Sequence, residues 1–281
     1  MMYSFKLSAF ADEASKNLGE QIEALRANEI HYLEMRGVNG QNVSELDAAT
    51  ARAVSRELKA ADIAVWSLGS PIGKIKLADP FAPELDRFKR LLETADITGA
   101  TRIRLFSFYE AEGESAFDAV CERLDRFVEA AQGSGVVLCH ENEKGIYGDI
   151  ASRCLRIHQA LPGLRAVFDP ANFVQCRQDT AEAWELLAPY VDYMHIKDAR
   201  WGDGVVVPPG QGDGQLPYLL GKYAEQGGEV LTLEPHLKVF KGLEALEGGE
   251  RPKVPEGMFA TGRDAFDFAV ASPRGVIDAM N

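Results

Sequence analysis

The 281-residue chain is poor in cysteine and has no long hydrophobic run. Its cysteines never form the C-x-x-C pair of zinc knuckles and thioredoxin-type sites, so neither class is expected. Scattered thiols predict a reducing, cytoplasmic compartment. No stretch reaches 18 apolar residues, so no membrane span is expected. Asp12 and Glu13 precede any long apolar run, so no secretory leader is expected either.

Positive charge is also scarce. The chain carries 30 Lys and Arg against 43 Asp and Glu, a formal net charge of -13. Nucleic acids and anionic membranes require a basic surface, so neither is expected as the partner. A small-molecule substrate remains the expected partner, and a homo-oligomer is compatible with this composition. Hydrophobic residues make up 46% of the chain, which is typical of a globular protein.

One pattern repeats along the whole chain: a short β-rich run, a loop and an amphipathic helix. The first helix has a clear start signal, because Asn17 and Glu20 have the spacing of a capping box. Eight units of about 35 residues are typical of a (β/α)8 TIM barrel, so we predict one such domain over residues 1–281. The eight predicted strands are residues 3–10, 31–36, 63–68, 101–108, 136–141, 165–169, 190–196 and 229–234.

A doubly wound open sheet is the alternative, but the nucleotide-binding signature of that fold is missing. Ala11-Asp12-Glu13 follows the first strand where a glycine-rich phosphate loop would stand. The glycines of residues 210–214 lack the G-x-G-x-x-G spacing and predict a flexible turn instead.

Two long irregular stretches, residues 197–214 and 235–262, follow the seventh and eighth predicted strands. Both leave carboxyl ends of strands, where the active sites of TIM barrels lie. We predict that the first stretch closes over substrate and brings Trp201 inward, because glycine gives it backbone freedom. A static loop rich in glycine and proline is the alternative.

Polar residues end four consecutive predicted strands. Side chains alternate along a strand, and this alternation places all four on the inner side of the barrel. Three carboxylates converging there would repel one another unless a cation neutralised them. Oxygen and imidazole ligands suit Mn²⁺, Mg²⁺ or Co²⁺, and Zn²⁺ also fits. Taken singly, each residue has an ordinary structural explanation as a cap, a solvated carboxylate or a core histidine. The four residues are Glu141, Asp169, His195 and Glu234.

Seven short motifs extend this pattern over nearly the whole chain. Together and in this order, they resemble the sugar phosphate isomerase/epimerase, or xylose isomerase-like, TIM barrels. The resemblance implies one divalent metal held by Glu141, Asp169, His195 and Glu234. It also implies that the two glutamates form the acid/base pair. The motifs are FADEA (10–14), YLEMRG (32–37), SLGSPIGK (67–74), HENEKGIYGD (140–149), FDPANF (168–173), MHIKDA (194–199) and TLEPHL (232–237).

One departure from the family pattern narrows the function. Ketose 3-epimerases and apurinic-site endonucleases of this superfamily carry D-x-x-H after the sixth strand, whereas this chain has Asp169-Pro170-Ala171-Asn172. Asn172 can hydrogen bond to a substrate but cannot act as an imidazole ligand or base. Both of those activities are therefore disfavoured.

Further substrate-binding candidates stand near the strand ends, each with a structural alternative. Lys197 could hold a substrate oxyanion or pair with the loop that follows it. Glu34 could contact substrate or pair with Arg36. Arg104 could bind an acidic sugar, but a pair with Glu34 is the preferred interpretation.

Two more candidates lie on the loops. His236 could line the mouth of the barrel, although Pro235 leaves its direction open. Trp201 could cover a sugar face, whereas Trp66 is better explained as core.

The leading hypothesis is a metal-dependent isomerase or epimerase of a small sugar or sugar phosphate. It would act through an enediolate, with proton transfer by Glu141 and Glu234. A dehydratase of a cyclic polyol ketone or a dehydroshikimate-like acid could use the same site. A barrel that binds a sugar without turning it over is the non-enzymatic alternative.

Overall fold

The computed structural model describes residues 3–111, 115–238 and 257–281. Eight parallel strands close into a barrel, so the predicted TIM barrel is confirmed. The strands are β1 Lys6–Ala9, β2 Tyr32–Met35, β3 Ala64–Leu68, β4 Arg102–Leu105, β5 Val137–Glu141, β6 Leu164–Phe168, β7 Val191–Ile196 and β8 Val230–Leu233. They follow one another around the barrel in chain order, and β8 pairs with β1.

Helices cover the outside of the barrel, and their apolar faces pack against the strands in one large core. The first helix begins as its sequence predicts, since the Asn17 side chain accepts the N–H of Glu20 at 3.2 Å. The Glu20 carboxylate accepts from Ser15 instead of closing a capping box. The helices are α1 Leu18–Ala27, α2 Ala48–Ala60, α3 Phe81–Thr98, α4 Ala116–Ala131, α5 Ala151–Ala160, α6 Pro170–Gln175, α7 Thr180–Leu187, α8 Leu216–Glu225 and α9 Gly262–Met280.

A second, smaller core cluster contains Cys139, Val167, Tyr193 and Val230, with Trp66 packed against it. Each of the first four residues lies two or four positions before one of the four candidate ligands. Period-two alternation therefore puts both sets on one side of their strands, and the ligands lie closer to the carboxyl ends. Trp66 is core, as its sequence context predicts.

Two observations complete the architecture. Among the described residues, no helix is both long enough and apolar enough to cross a membrane. The long loop predicted at residues 235–262 is described only at its two ends, because residues 239–256 lie outside the described part of the chain.

Candidate active site

Four side chains from the carboxyl ends of β5 to β8 meet at one point inside the barrel mouth. Each offers a ligand atom, and these atoms all lie within 4.8 Å of one another. All four residues are buried, and none is more than 4% exposed. We call this set the carboxylate–histidine cluster; it consists of Glu141, Asp169, His195 and Glu234.

His195 lies at the centre of the cluster. Its Nδ1 is 2.9 Å from Glu141 Oε1, 3.8 Å from Glu234 Oε2 and 4.0 Å from Asp169 Oδ2. Its other nitrogen, Nε2, points away from these carboxylates and lies 3.2 Å from Glu34 Oε2. The Nδ1 edge of the imidazole ring therefore faces the cluster, and the Nε2 edge contacts a fourth carboxylate, that of Glu34.

Several cationic side chains contact the cluster, among them Lys197 and Arg104. Lys197 Nζ lies 2.7 Å from Glu234 Oε2 and 3.0 Å from Asp169 Oδ2. Arg104 Nη1 lies 3.0 Å from Glu141 Oε2. The preferred ion pair of Arg104 with Glu34 is not found, because the guanidinium contacts Glu141 on the neighbouring strand β5, although the Glu34 carboxylate still helps to raise the pKa of Arg104. Lys197 pairs with the cluster itself and not with the loop that follows it.

The buried charges shift one another's protonation. Burial alone would lower the pKa of His195, but the carboxylates of Glu141 and Glu34 outweigh it and raise that pKa to about 10. Burial raises the pKa of Asp169 to about 7, against the opposing effect of Lys197. Glu141 is also buried, yet His195 and Arg104 lower its pKa to about 2. Without a metal ion, the cluster holds a proton on His195 between negatively charged neighbours.

The donor set fits a divalent cation. Asp169 Oδ2 and Glu141 Oε2 are fully buried, and neither has a partner in hydrogen-bonding geometry among the described residues. Each lies 3.0 Å from one cationic group, Lys197 Nζ or Arg104 Nη1, so its charge is compensated but its lone pairs stay open to a further ligand. Three carboxylates and one imidazole nitrogen suit Mn²⁺, Mg²⁺, Co²⁺ or Zn²⁺.

Asn172 lies beside the cluster and occupies the place where the superfamily pattern has histidine. Its Nδ2 donates to the main-chain oxygen of Asn142 at 2.9 Å and points toward Glu141 Oε1 at 3.4 Å. Asp169 caps α6 by accepting the N–H of Asn172 at 2.9 Å. These contacts orient two members of the cluster; a direct contact of Asn172 with substrate remains a prediction.

The predicted alternative of an ion pair between Glu34 and Arg36 is not found. Arg36 Nε and Nη2 bind the carboxylate of Asp12, and its Nη2 also lies 3.1 Å from Glu13 Oε1. Its Nη1 lies 3.3 Å from Glu234 Oε1. Arg36 therefore joins the segment after β1 to the end of β8, and Glu34 takes other partners.

His236 lies next to this arginine and is buried. Its backbone N–H donates to Glu13 Oε2 at 2.6 Å, and its Nε2 lies 3.6 Å from Glu234 Oε1. The φ of His236 is 44°, in the left-handed region, and the hydrogen bond from its backbone N–H to Glu13 stabilises this conformation. His236 thus contacts Glu234, while its role toward substrate stays a prediction.

The glycine-rich loop after β7 is tightly hydrogen bonded. The Asp198 carboxylate accepts the backbone N–H groups of Gly210, Gly212 and Gly214, each at 2.9 Å. A Cβ at Gly212 or Gly214 would lie within 2.7 Å of Asp198 Oδ1, so these positions require glycine. The segment forms the predicted turn, and one buried carboxylate accepts three alternate N–H groups in it; its flexibility stays a prediction.

The same loop contains the predicted lid. Val206 and Val207 are buried and pair with Ala199 and Asp198 in a short hairpin. These contacts favour the static alternative for this part of the loop. Trp201 is 40% exposed, and its backbone N–H donates to Asp213 Oδ2. None of the hydrogen bonds or ring contacts described for it reaches the cluster, so its contact with substrate remains a prediction.

Sequence reasoning missed three residues that shape the site: Glu13, Asn142 and Asp198. Glu13 belongs to the FADEA motif and Asn142 to HENEKG, so both stood in motifs without an assigned role. Asp198 had a weaker signal, a carboxylate preceding a run of alternate glycines. Their roles depend on partners in distant segments, which no local pattern identifies.

Comparison with known proteins agrees with the barrel and with the motifs. A sequence model of the xylose isomerase-like TIM barrels matches residues 22–249. The chain belongs to this family. A protein of Escherichia coli K12 named YihM, itself uncharacterised, is 23% identical over 129 residues. That alignment covers 43% of this chain and 38% of YihM.

Solved structures of the xylose isomerase-like fold superpose over nearly the whole chain. The IolI protein, solved with a bound zinc atom, is 17% identical with a TM-score of 0.77, covering 98% of this chain and 99% of that one. A D-tagatose 3-epimerase-like protein is 16% identical with a TM-score of 0.74, covering 98% of each chain. AsbF of Bacillus anthracis, a probable 3-DHS dehydratase, is 13% identical with a TM-score of 0.71, covering 98% and 99%. At these identities the likeness establishes the fold alone.

Proposed function

We propose that this protein is a metal-dependent isomerase or epimerase acting on a small sugar, sugar phosphate or related polyol ketone. The observation that carries the proposal is the meeting of Glu141 and Glu234 from strands on different sides of the cluster. Glu141 Oε1 and Glu234 Oε2 lie 2.9 Å and 3.8 Å from the same atom, His195 Nδ1. Two carboxylates beside one reacting centre can remove a proton and return it at another position.

The cluster residues would hold the metal, and the other residues would keep them in place. A bound divalent ion would polarise the substrate carbonyl and acidify the neighbouring C–H bond. One glutamate, ionised, would remove that proton, which leaves an enediolate. The other, protonated from solvent before the step, would deliver its proton to the adjacent carbon or the opposite face, and exchange with solvent would restore both. Lys197, which contacts Glu234 and Asp169, would favour the ionised form of Glu234 in the step in which Glu234 acts as the base.

Solvent deuterium exchange tests this proposal. The metal-stripped and metal-reconstituted protein would be incubated in D₂O with a panel of aldoses, ketoses, their phosphates and polyol ketones, and the products read by mass. We expect deuterium incorporation at conserved composition, dependent on metal and lost in Glu141→Gln and Glu234→Gln. The Glu229→Gln variant makes the same change in an exposed ion pair with Lys6 and should keep activity.

Two outcomes would replace the proposal. Loss of the mass of one water would assign a dehydratase, the probable activity of the structural relative AsbF. Ligand binding with no deuterium exchange in any metal form would instead indicate a sugar-binding barrel without turnover.

A further inference from the structure

Glu34 lies beside His195, on the Nε2 side of its ring, and is completely buried. Tyr193 Oη donates to Glu34 Oε1 at 2.8 Å, and Ser67 Oγ donates to the same oxygen at 3.5 Å. The second oxygen, Oε2, lies 3.2 Å from His195 Nε2. Three neighbours thus share one buried carboxylate, and one of them is a cluster member.

We propose that Glu34 is a positioning residue that sets the tautomer and orientation of His195. The inference rests on the proposed role of His195 as a metal ligand. An ionised carboxylate only accepts hydrogen bonds, so the nitrogen facing it must carry the proton. In neutral imidazole the other nitrogen then has a free lone pair. That nitrogen is Nδ1, the atom facing Glu141, Asp169 and Glu234.

Packing around the imidazole supports this role. Phe10 and Tyr193 contact the His195 ring edge-on, with ring centroids 5.2 Å and 5.6 Å away. These contacts resist rotation of the ring, while Glu34 decides which nitrogen is protonated. The pairing of β2 with β3 shifts register between Leu33 and Glu34, an irregularity of the kind that re-aims a side chain.

Zinc binding by Glu34→Gln tests the inference. The glutamine side chain is isosteric, but it can donate as well as accept, so it no longer dictates one tautomer. Removing such an outer partner of a ligating histidine costs about 10- to 100-fold in metal affinity. We therefore expect calorimetry to show that loss of zinc affinity in Glu34→Gln and no change in Glu229→Gln, which alters an exposed glutamate. Tyr193→Phe, which keeps the ring and removes one donor to Glu34, should show a smaller loss in the same direction.

A spectroscopic signature separates positioning from general stability. The chain has 5 histidines, so ¹⁵N-labelled imidazole spectra are simple to assign, with His195→Gln identifying the signal of interest. In the zinc-loaded protein we expect a downfield Nε2–H proton, bonded to the Glu34 carboxylate. It should move upfield in Glu34→Gln and stay in place in Glu229→Gln.

Two results would overturn the inference, and they are distinguishable. If His195 responds to zinc but Glu34→Gln keeps both the wild-type affinity and the downfield proton, the positioning role is refuted alone. If the wild-type His195 signals do not respond to zinc at all, the proposed metal site is refuted and the inference falls with it.

Discussion

Asn142 and Asp169 exchange two hydrogen bonds across the ends of neighbouring strands. The Asn142 side chain donates to the Asp169 carbonyl oxygen and accepts the Asp169 backbone N–H, each at 2.9 Å. An amide side chain thus replaces one step of the β5–β6 ladder just beyond the point where it ends. It fixes the main chain at Asp169, the residue whose side chain faces the cluster.

Asn142→Ala should therefore destabilise the protein and loosen the site. It leaves a buried N–H and a buried C=O unsatisfied, each costing about 1–3 kcal/mol. We expect a lower urea midpoint together with weaker metal binding. Asn28→Ala also removes two hydrogen bonds but lies at the end of α1, and it should affect stability only. Equal metal affinity of Asn142→Ala and wild type would contradict this prediction.

Metal should stabilise the fold through the cluster. A ligand at 100 times its Kd adds about 2.7 kcal/mol to the free energy of unfolding. For a chain of 281 residues this corresponds to a rise in Tm of about 5 °C, at an unfolding entropy of about 2.1 cal/mol/K per residue. Glu141→Gln, Asp169→Asn and His195→Ala should each lose most of the rise in thermal scans with and without metal. Equal melting temperatures of stripped and metal-loaded wild type would refute the site.

Metal binding should release protons. His195 has its pKa raised to about 10 in the metal-free protein, so it is protonated at pH 8 and must lose that proton to act as a ligand. Asp169, with a pKa of about 7, adds to the release as the pH falls through that value. Calorimetry in buffers of different ionisation enthalpy should therefore show about one proton released at pH 8.5 and more at pH 6.5. Affinity should accordingly fall with decreasing pH, and a pH-independent affinity would contradict the model of a displaced proton.

Arg36 should stabilise the part of the site where the segments after β1 and β8 meet, because it pairs with carboxylates from both. Arg36→Met leaves Asp12, Glu13 and Glu234 without their shared cation, and breaking a buried pair this way costs about 3–5 kcal/mol. Burial raises the pKa of Glu13 to about 8, well above its unfolded value, even with Arg36 beside it. Loss of the arginine raises that pKa further, so the gap in stability between variant and wild type should widen as the pH rises past 8.

Urea unfolding at pH 6.5 and pH 9 measures this widening. Arg102→Met is the matched control, because it breaks an ion pair with Asp192 near the opposite end of the barrel. Its effect should be nearly the same at both pH values. A gap for Arg36→Met that stays constant or narrows with pH would show that Glu13 is not the titrating group.

Asp198 should hold the loop after β7. Asp198→Asn replaces one accepting oxygen by an N–H₂ group, so either Gly214, or Gly210 together with Gly212, loses its acceptor. Hydrogen bonds to a charged group contribute about 1.5–3 kcal/mol each, so we expect a measurable loss of stability. Hydrogen exchange should show faster exchange confined to these glycine amides. Asp203→Asn is the control, because the exposed Asp203 carboxylate also accepts from a backbone N–H and from Arg200. This variant should leave the three glycine amides protected.

Much of the site could be predicted from the sequence because it depends on local periodicity. Alternation along β5 to β8 puts Glu141, Asp169, His195 and Glu234 on one face, and the repeat of strand and helix puts their strand ends at one rim. These are properties of each segment on its own. Predicting them required no knowledge of how far apart the four residues would lie across the barrel.

The partners of each charge were decided only by the tertiary structure. Alternation specifies the face of a strand but not the depth at which a side chain meets residues from the far wall. Glu34 near the end of β2 and Arg36 just after it are two residues apart, yet the first reaches His195 on β7 and the second reaches Glu234 after β8. Arg104 instead meets Glu141 on the neighbouring strand β5. Closure and stagger of the barrel decide which of these side chains are in contact, because they bring together segments up to about 200 residues apart. The attraction between two charges depends on the distance between them, and no sequence pattern encodes that distance.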